Sequence, residues 1–464
     1  MADPRTPARR TSVDAARLAA YDVLRTVGEQ DAYANLVLPG LLRSRGISGR
    51  DAAFVTELVS GTIRRQGTYD AVLAASVDRP LDRVDPAVLD ALRLGAHQIL
   101  GMRVPSHAAV GTTVDLVRAT VGHRPAGFVN AVLRRVAVHD LAGWVRRVAP
   151  DSVTDPMGFA SVAHSHPRWV VEALSEALGA SSGELDELLA ADNEAPQVTL
   201  VATPGLASVA ELAEGGGEAS SFSPYAVALL GGDPGEVPSV AEGRAGVQDE
   251  GSQLVALALA AAEVAGRDER WLDMCAGPGG KASLLAALAG ERGARVLASD
   301  LQRHRAALVR VGTRLASRGL LGVVAADGTR PAWREESFDK VLVDAPCSGL
   351  GALRRRPEAR WRRTASDIDD LVPLQRALLS SALDAVRHGG VVAYVTCSPV
   401  LTETSGVVSW VLAGRDDVRL EEAAPLFAGV PDLGTDDMVL PGTVQLWPHR
   451  HGTDAMFFAL LRRV

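Results

Sequence analysis

The sequence predicts an α/β chain in which a doubly wound parallel sheet is preceded by an all-helical domain and a small α+β linking unit. Three observations carry this. From Thr11 to Ala137 apolar residues recur at helical spacing, whereas from about Val247 short apolar runs alternate with helical stretches of ten residues or more. Each of those runs also ends in a turn, the pattern that parallel strands joined by crossover helices produce.

The helical part comes first. Val13, Ala16, Ala20, Val23, Leu24 and Val27, then Phe54, Val55, Leu58, Val59 and Ile63, and later Val129, Val132, Leu133 and Val136 each mark one apolar face. The spacing predicts about six or seven helices, joined by turns such as Arg45-Gly46-Ile47-Ser48-Gly49 and Asp78-Arg79-Pro80. We assign residues 1–145 to this domain. Residues 146–235 follow as a linker and small α+β domain, with a helix from Pro167 to Leu178 and two short strands, Val198–Val201 and Ala226–Leu230, separated by a helix. Residues 236–464 form the sheet domain, with strands at Trp271-Leu272, Val296-Leu297-Ala298, Val323-Val324-Ala325, Val341-Leu342-Val343 and Val391–Val395. In such sheets a ligand lies across the carboxyl ends of the strands.

Composition bounds the function. The 464 residues are 47% hydrophobic and 22% charged, ordinary for a soluble globular chain. The longest apolar stretch, Leu254 to Ala262, falls short of the ~20 residues a membrane helix needs, so no span is expected. The start, Met1-Ala2-Asp3-Pro4-Arg5, runs into an amphipathic pattern and is not read as a secretory signal. Three cysteines cannot make a paired framework, which suggests a cytoplasmic protein with free thiols. A net charge of -8 argues against wholesale coating of nucleic acid, while leaving room for a local basic groove. All but two of the 48 basic residues are arginine, the exceptions being Lys281 and Lys340.

The first sheet strand leads into Cys275-Ala276-Gly277-Pro278-Gly279-Gly280-Lys281. Glycines at a strand-to-helix turn let a ligand approach the backbone and present helix N-terminal N–H groups to negative charge. The spacing is not the dinucleotide G-x-G-x-x-G, because Gly280 follows Gly279 directly. Asp273, Asp300, Asp327 and Asp344 then end successive strands; one such aspartate is commonly a helix cap, but four in series point to a ligand. Asp300 is placed to accept ribose hydroxyls. An adenosine-containing cofactor fits, and the single turn favours S-adenosylmethionine over NAD.

Cys347 and Cys397 close the fourth and fifth strands, so both face the rim where the cofactor is expected, and each is followed by a serine. Buried cysteines acting as small hydrophobes are the plain alternative. Zinc is disfavoured, since no C-x-x-C pair and no histidine at ligand spacing exists. A redox disulfide pair is possible but leaves the glycines and aspartates unexplained.

Asp273-Met274-Cys275-Ala276-Gly277-Pro278-Gly279-Gly280-Lys281, Asp344-Ala345-Pro346-Cys347-Ser348-Gly349, Thr396-Cys397-Ser398 and Gln248-Asp249-Glu250-Gly251-Ser252-Gln253 resemble motifs of RNA 5-methylcytosine methyltransferases. The helical region, through Arg93-Leu94-Gly95-Ala96-His97-Gln98-Ile99-Leu100 and Gly127–Arg135, resembles NusB-like RNA-binding domains. Together they resemble the RsmB (Sun) family, which modifies small-subunit (16S) ribosomal RNA. Two segments depart from it: Val198–Thr203 lacks the family's arginine and asparagine, and Pro399–Thr404 replaces a proline followed by paired glutamates.

The resemblance implies a Rossmann-like methyltransferase sheet that uses S-adenosyl-L-methionine, held by Cys275, Ala276, Gly277, Pro278, Gly279, Gly280, Lys281, Asp300, Asp327 and Asp344. It implies that Cys397 is the nucleophile and Cys347 releases the product, with Asp344 and Lys281 assisting. The plain alternative for Lys281 is that it decorates the start of its helix. Six arginines in the ten positions 354–363 suggest phosphate contacts by Arg354, Arg355, Arg356 and Arg360, with Trp361 available for stacking. The acidic excess lies elsewhere, in residues 184–194 and 421–437. The expected product is 5-methylcytosine in 16S ribosomal RNA, made by a cytoplasmic monomer without metal. The alternatives are a transfer-RNA enzyme of the same chemistry and a catalytically inert RNA-binding assembly factor.

Overall fold

The computed structural model describes residues 13–433 and 439–464. Met1 to Arg5 and part of the acidic stretch 421–437 lie outside the described residues. The chain divides into two compact units: Met1–Val171 with Arg356–Trp361, and Glu172–Arg355 with Arg362–Val464.

In the first unit helices occupy Ala15–Gln30, Ala34–Ser44, Gly49–Arg64, Gln66–Ser76, Pro86–Leu100, Ser106–Thr120 and Ala126–Val136, followed by the shorter Leu141–Val148 and Pro156–Ala163. Their starts carry the expected chemistry. Asp14 accepts the Arg17 N–H at 2.8 Å, and Asp85 caps a helix whose first residue is Pro86, where the missing N–H costs nothing. Leu58, Leu73, Leu92 and Leu116 fill the shared core. Within it the Tyr69 hydroxyl lies 2.8 Å from His97 Nδ1, and the imidazole fits only because Gly61 and Gly101 have no side chain to strike it.

The second unit begins with an antiparallel sheet of β1 (Val198–Ala202), β2 (Gly217–Ala219), β3 (Ala226–Leu229) and β4 (Ala245–Val247), in the order β2-β3-β1-β4. Two strands were expected and four are present. The extra pair are three-residue strands at the sheet edges, too short to show an alternating pattern.

The large sheet comprises β5 (Arg270–Asp273), β6 (Arg295–Asp300), β7 (Leu320–Ala325), β8 (Phe338–Asp344), β9 (Val386–Thr396), β10 (Val418–Glu421), β11 (Val444–Gln445) and β12 (Phe457–Arg463). Its order is β10-β12-β9-β8-β5-β6-β7, with β11 on β12. The five strands expected from the sequence form the parallel part. To this parallel part the chain adds an edge not expected from the sequence, in which β12 lies antiparallel to β9 and to β10.

Both faces are covered. In β9, Val391, Ala393 and Val395 pack toward the helices Glu250–Ala261 and Gly280–Glu291, while Val392 and Tyr394 pack toward Ala365–Ala385 and Ser405–Ala413. Burial on both sides explains why these strands read as continuous apolar runs. From β5 the chain adds β6 and β7 on one side, then β8 and β9 on the other. The reversal opens a crevice at the carboxyl ends of β5 and β8.

Candidate active site

The crevice collects the residues singled out in the sequence. Asp273 ends β5, Asp300 ends β6, Asp344 ends β8, and Cys347 and Cys397 follow β8 and β9. The two thiols stand 3.5 Å apart, and all three cysteines are free.

The glycine turn after β5 is tightly built. Its Gly277 N–H donates to Asp300 Oδ2 at 3.0 Å, and a Cβ added at Gly277 would come within 2.4 Å of that oxygen. At Gly279 the backbone has φ +123, a conformation side chains rarely allow, and Val309 Cα would be 3.0 Å from an added Cβ. The Arg305 guanidinium donates to the Gly277 carbonyl, and Asp300 Oδ1 accepts the Gln302 N–H at 2.8 Å. Ala276 N–H donates to the Ser299 carbonyl, which fixes the turn to β6. The turn also contains Pro278 and opens the helix that starts at Gly280.

Asp273 lies 1% exposed, and neither carboxyl oxygen has a hydrogen bond of good geometry. Burial first, and the neighbouring Asp344 second, push its acid up to about 8. Burial and the same carboxyl push the Cys275 thiol far up, so Cys275 is a neutral lining group. Asp327 accepts the Thr329 N–H at 2.9 Å and its hydroxyl at 2.7 Å, a local turn that holds its carboxyl below the ordinary range.

Lys281 does more than decorate a helix start. Its Nζ lies 2.9 Å from Asp344 Oδ2, joining the helix after β5 to the end of β8 across the crevice. Burial opposes the ammonium charge, but Asp344 outweighs it and holds the Lys281 pKa above its ordinary value.

The thiols differ in environment. Cys397 is drawn below the ordinary thiol pKa by its bond from Cys347 and, against burial, by Lys281. Cys347 is raised well above it by that same bond, by burial and by the negative charge of Glu403. The pair is therefore an acceptor at Cys397 and a donor at Cys347.

Sequence reasoning missed the groups behind the thiols. Glu403 is fully buried; its Oε1 accepts Ser348 N–H at 2.7 Å and Gln375 Nε2 at 3.0 Å, and its Oε2 accepts the hydroxyls of Ser348 and Ser398, each at 2.6 Å. The serine after each cysteine was the one signal for this. Asp249, ahead of the first strand of the large sheet, accepts the Asp454 N–H at 3.2 Å; burial and Asp454 raise its acid to about 6.

Much of the arginine run, expected to contact phosphate, also has partners within the fold. Arg354 is 8% exposed and donates to the Gly452 carbonyl at 2.7 Å, while Arg355 pairs with Asp454 through two nitrogens. In the helical unit Arg360 is fully buried and donates to the Ser165 carbonyl, and Trp361 donates from Nε1 to the Ile63 carbonyl at 3.0 Å. Arg356 lies over the Tyr33 ring at 5.2 Å. A charge run shows where cations are dense, not which of them the fold has already paired.

Among the described residues no group of three or more His, Cys, Asp or Glu could hold a metal, and no helix is long and apolar enough to cross a membrane.

Residues 260–462 match the family described as 16S rRNA methyltransferase RsmB/F, and residues 14–138 match the NusB family. A protein of Mycobacterium tuberculosis named only as a methyltransferase is 53% identical over 98% of both chains. The ribosomal RNA small subunit methyltransferase B of Pseudomonas putida is 34% identical, over 97% of this chain and 98% of that one. In fold the chain is similar to the crystal structure of PH0851, with a TM-score of 0.78 and 23% identity over 97% of this chain and 99% of that one.

Proposed function

This chain belongs to the RsmB/F family of 16S rRNA methyltransferases, and from that premise we propose that it methylates carbon 5 of a cytosine in small-subunit ribosomal RNA, with S-adenosylmethionine as donor. The observation that carries this reading is the thiol pair, 3.5 Å apart at the carboxyl edge of a methyltransferase sheet and beside the Lys281–Asp344 ion pair.

The residues at the glycine turn fit the cofactor. Gly277 and Gly279 let the turn pack directly on Asp300 and Val309, Asp273 offers an unpartnered buried carboxyl, and Asp300 stands where ribose hydroxyls would be held. When bound, S-adenosylmethionine supplies an electrophilic methyl group. Asp327 and Cys275 line the same rim.

Carbon 5 of cytosine is too weak a nucleophile to react unaided, so a thiolate must first add to carbon 6. Cys397 is suited to that attack, because Cys347 and Lys281 favour its ionised form. Addition places electron density on carbon 5 and on the ring nitrogen. Asp344 accepts from the exocyclic amino group while the ammonium of Lys281 balances charge on the ring. Cys347 gives its proton to the ring nitrogen that addition has made basic, and once carbon 5 carries the methyl group the resulting Cys347 thiolate takes the remaining proton. The bond between Cys397 sulfur and carbon 6 then breaks and the aromatic ring returns. The base must leave its stack to reach this crevice. Arg356, exposed and free of the pairing that holds Arg355 to Asp454, is assigned to the RNA backbone.

The test incubates the protein with labelled S-adenosylmethionine and unmodified small-subunit RNA and maps 5-methylcytosine by bisulfite sequencing. A single converted-resistant cytosine in 16S RNA is expected. No site above background in ribosomal or transfer RNA would reject the enzyme reading, and a site in transfer RNA alone would reassign the substrate.

A further inference from the structure

Both thiols are followed by serine, and the reaction outlined above uses neither hydroxyl. The structure gives them a common partner. Ser348 and Ser398 both donate to Glu403 Oε2 at 2.6 Å, and their hydroxyl oxygens stand 3.0 Å from each other. The other carboxylate oxygen accepts the Ser348 N–H and the Gln375 amide, and that amide also donates to the Pro346 carbonyl at 2.9 Å. Four donors thus converge on one carboxylate, about the number of lone-pair sites it offers. Glu403 is 0% exposed and, among the described residues, forms no ion pair. Its own carbonyl accepts the Tyr394 hydroxyl at 2.7 Å, so its backbone is tied to β9 as well.

A buried carboxylate without a cation is costly unless hydrogen bonds satisfy it, and here every one of those bonds comes from a thiol loop or from the helix beside it. Resting on the thiol roles given above, we propose that Glu403 is a positioning residue that clamps the serine after each cysteine and thereby holds the Cys347 and Cys397 sulfurs within bonding distance. The two loops come from different strands, and Gly351 N–H to the Cys397 carbonyl, at 2.8 Å, is the backbone bond that joins them. Without the clamp that backbone bond leaves the side chains free to turn. The negative charge of Glu403 also acts on Cys347, keeping its proton in place as the donor to Cys397.

The experiment uses the full chain with Glu403→Gln, which keeps the side-chain volume and removes the charge, and Ser398→Ala, which removes one bond. Iodoacetamide labelling of each cysteine is followed by peptide mass spectrometry across pH, beside calorimetric affinity for S-adenosylmethionine and steady-state methyl transfer. The clamp predicts that Cys397 labelling at neutral pH falls at least about fivefold in both variants and that kcat falls roughly 10- to 100-fold, with cofactor affinity within about twofold. Folded variants whose Cys397 labelling profile matches the unaltered protein would overturn the clamp. If Glu403→Gln does not fold, Ser398→Ala decides alone by the same criteria. Labelling needs no turnover, so a protein that transfers no methyl group would reject the proposed function while the clamp is still decided.

Discussion

Cys347 Sγ and Cys397 Sγ stand 3.5 Å apart although 50 residues separate them in the chain. The fold brings them together because β8 and β9 are adjacent parallel strands, so the loops that follow them leave the same edge of the sheet. Their unequal ionisation follows first from the hydrogen bond between them, then from burial, and further from Lys281 near Cys397 and Glu403 near Cys347.

Replacing Lys281 by methionine removes the cation that favours the Cys397 thiolate and leaves Asp344 unpaired. Methyl transfer is expected to fall by about a hundredfold or more. The pH at which Cys397 alkylates at half its maximal rate is expected to rise toward the roughly 8.5 of a free thiol. An alkylation profile across pH checks both the direction and the residue responsible.

Asp273 makes a pH prediction with a definite sign. Its acid is held up to about 8 in the folded chain, against about 3.9 when unfolded, so between those values the folded state keeps a proton that the unfolded state has released. Stability therefore falls as pH rises through that window. Asp273→Asn should flatten that slope and raise stability at neutral pH by on the order of 1 kcal/mol or more, as read by urea denaturation at several pH values.

Gly277→Ala places a methyl group 2.4 Å from Asp300 Oδ2 and disrupts the bond from the Gly277 N–H to that carboxylate. Loss of a hydrogen bond to a charged group predicts at least about tenfold weaker S-adenosylmethionine binding by calorimetry. Thermal unfolding of the helical unit should be unchanged.

Much of this was legible in the sequence, for physical reasons that vary by element. Helices of the first unit such as Ala15–Gln30, Gly49–Arg64 and Ala126–Val136 show an apolar stripe, and the five parallel strands, covered on both faces, show as short apolar runs. The strand Phe457–Arg463 was missed although Phe457–Leu461 is just such a run, because no helical stretch follows it. The thiols and glycine turn stood at strand ends, where spacing reveals them. Glu403 did not, since its role depends on bonds to residues 55 positions away. The partners of the arginines inside the fold were equally hidden: pairing of Arg355 with Asp454 and the burial of Arg360 leave no local mark.

The division of roles among these arginines is itself testable. Arg360→Ala should lower stability by several kcal/mol, of the order seen when a buried charge network is broken, and leave the salt dependence of RNA binding unchanged. Arg356→Ala should do the reverse, reducing the slope of log affinity against log salt by about one. Filter binding across salt concentrations, beside thermal denaturation, separates the two.

The central claim is that Cys397 attacks the base and Cys347 releases it. The most direct measurement mixes Cys347→Ser and Cys397→Ser variants separately with small-subunit RNA and S-adenosylmethionine, then runs denaturing gels for a covalent protein–RNA species. Cys347→Ser should accumulate the adduct, since release is blocked after methylation, and Cys397→Ser should form none. An adduct trapped by Cys397→Ser and absent from Cys347→Ser would contradict the assignment and exchange the two roles.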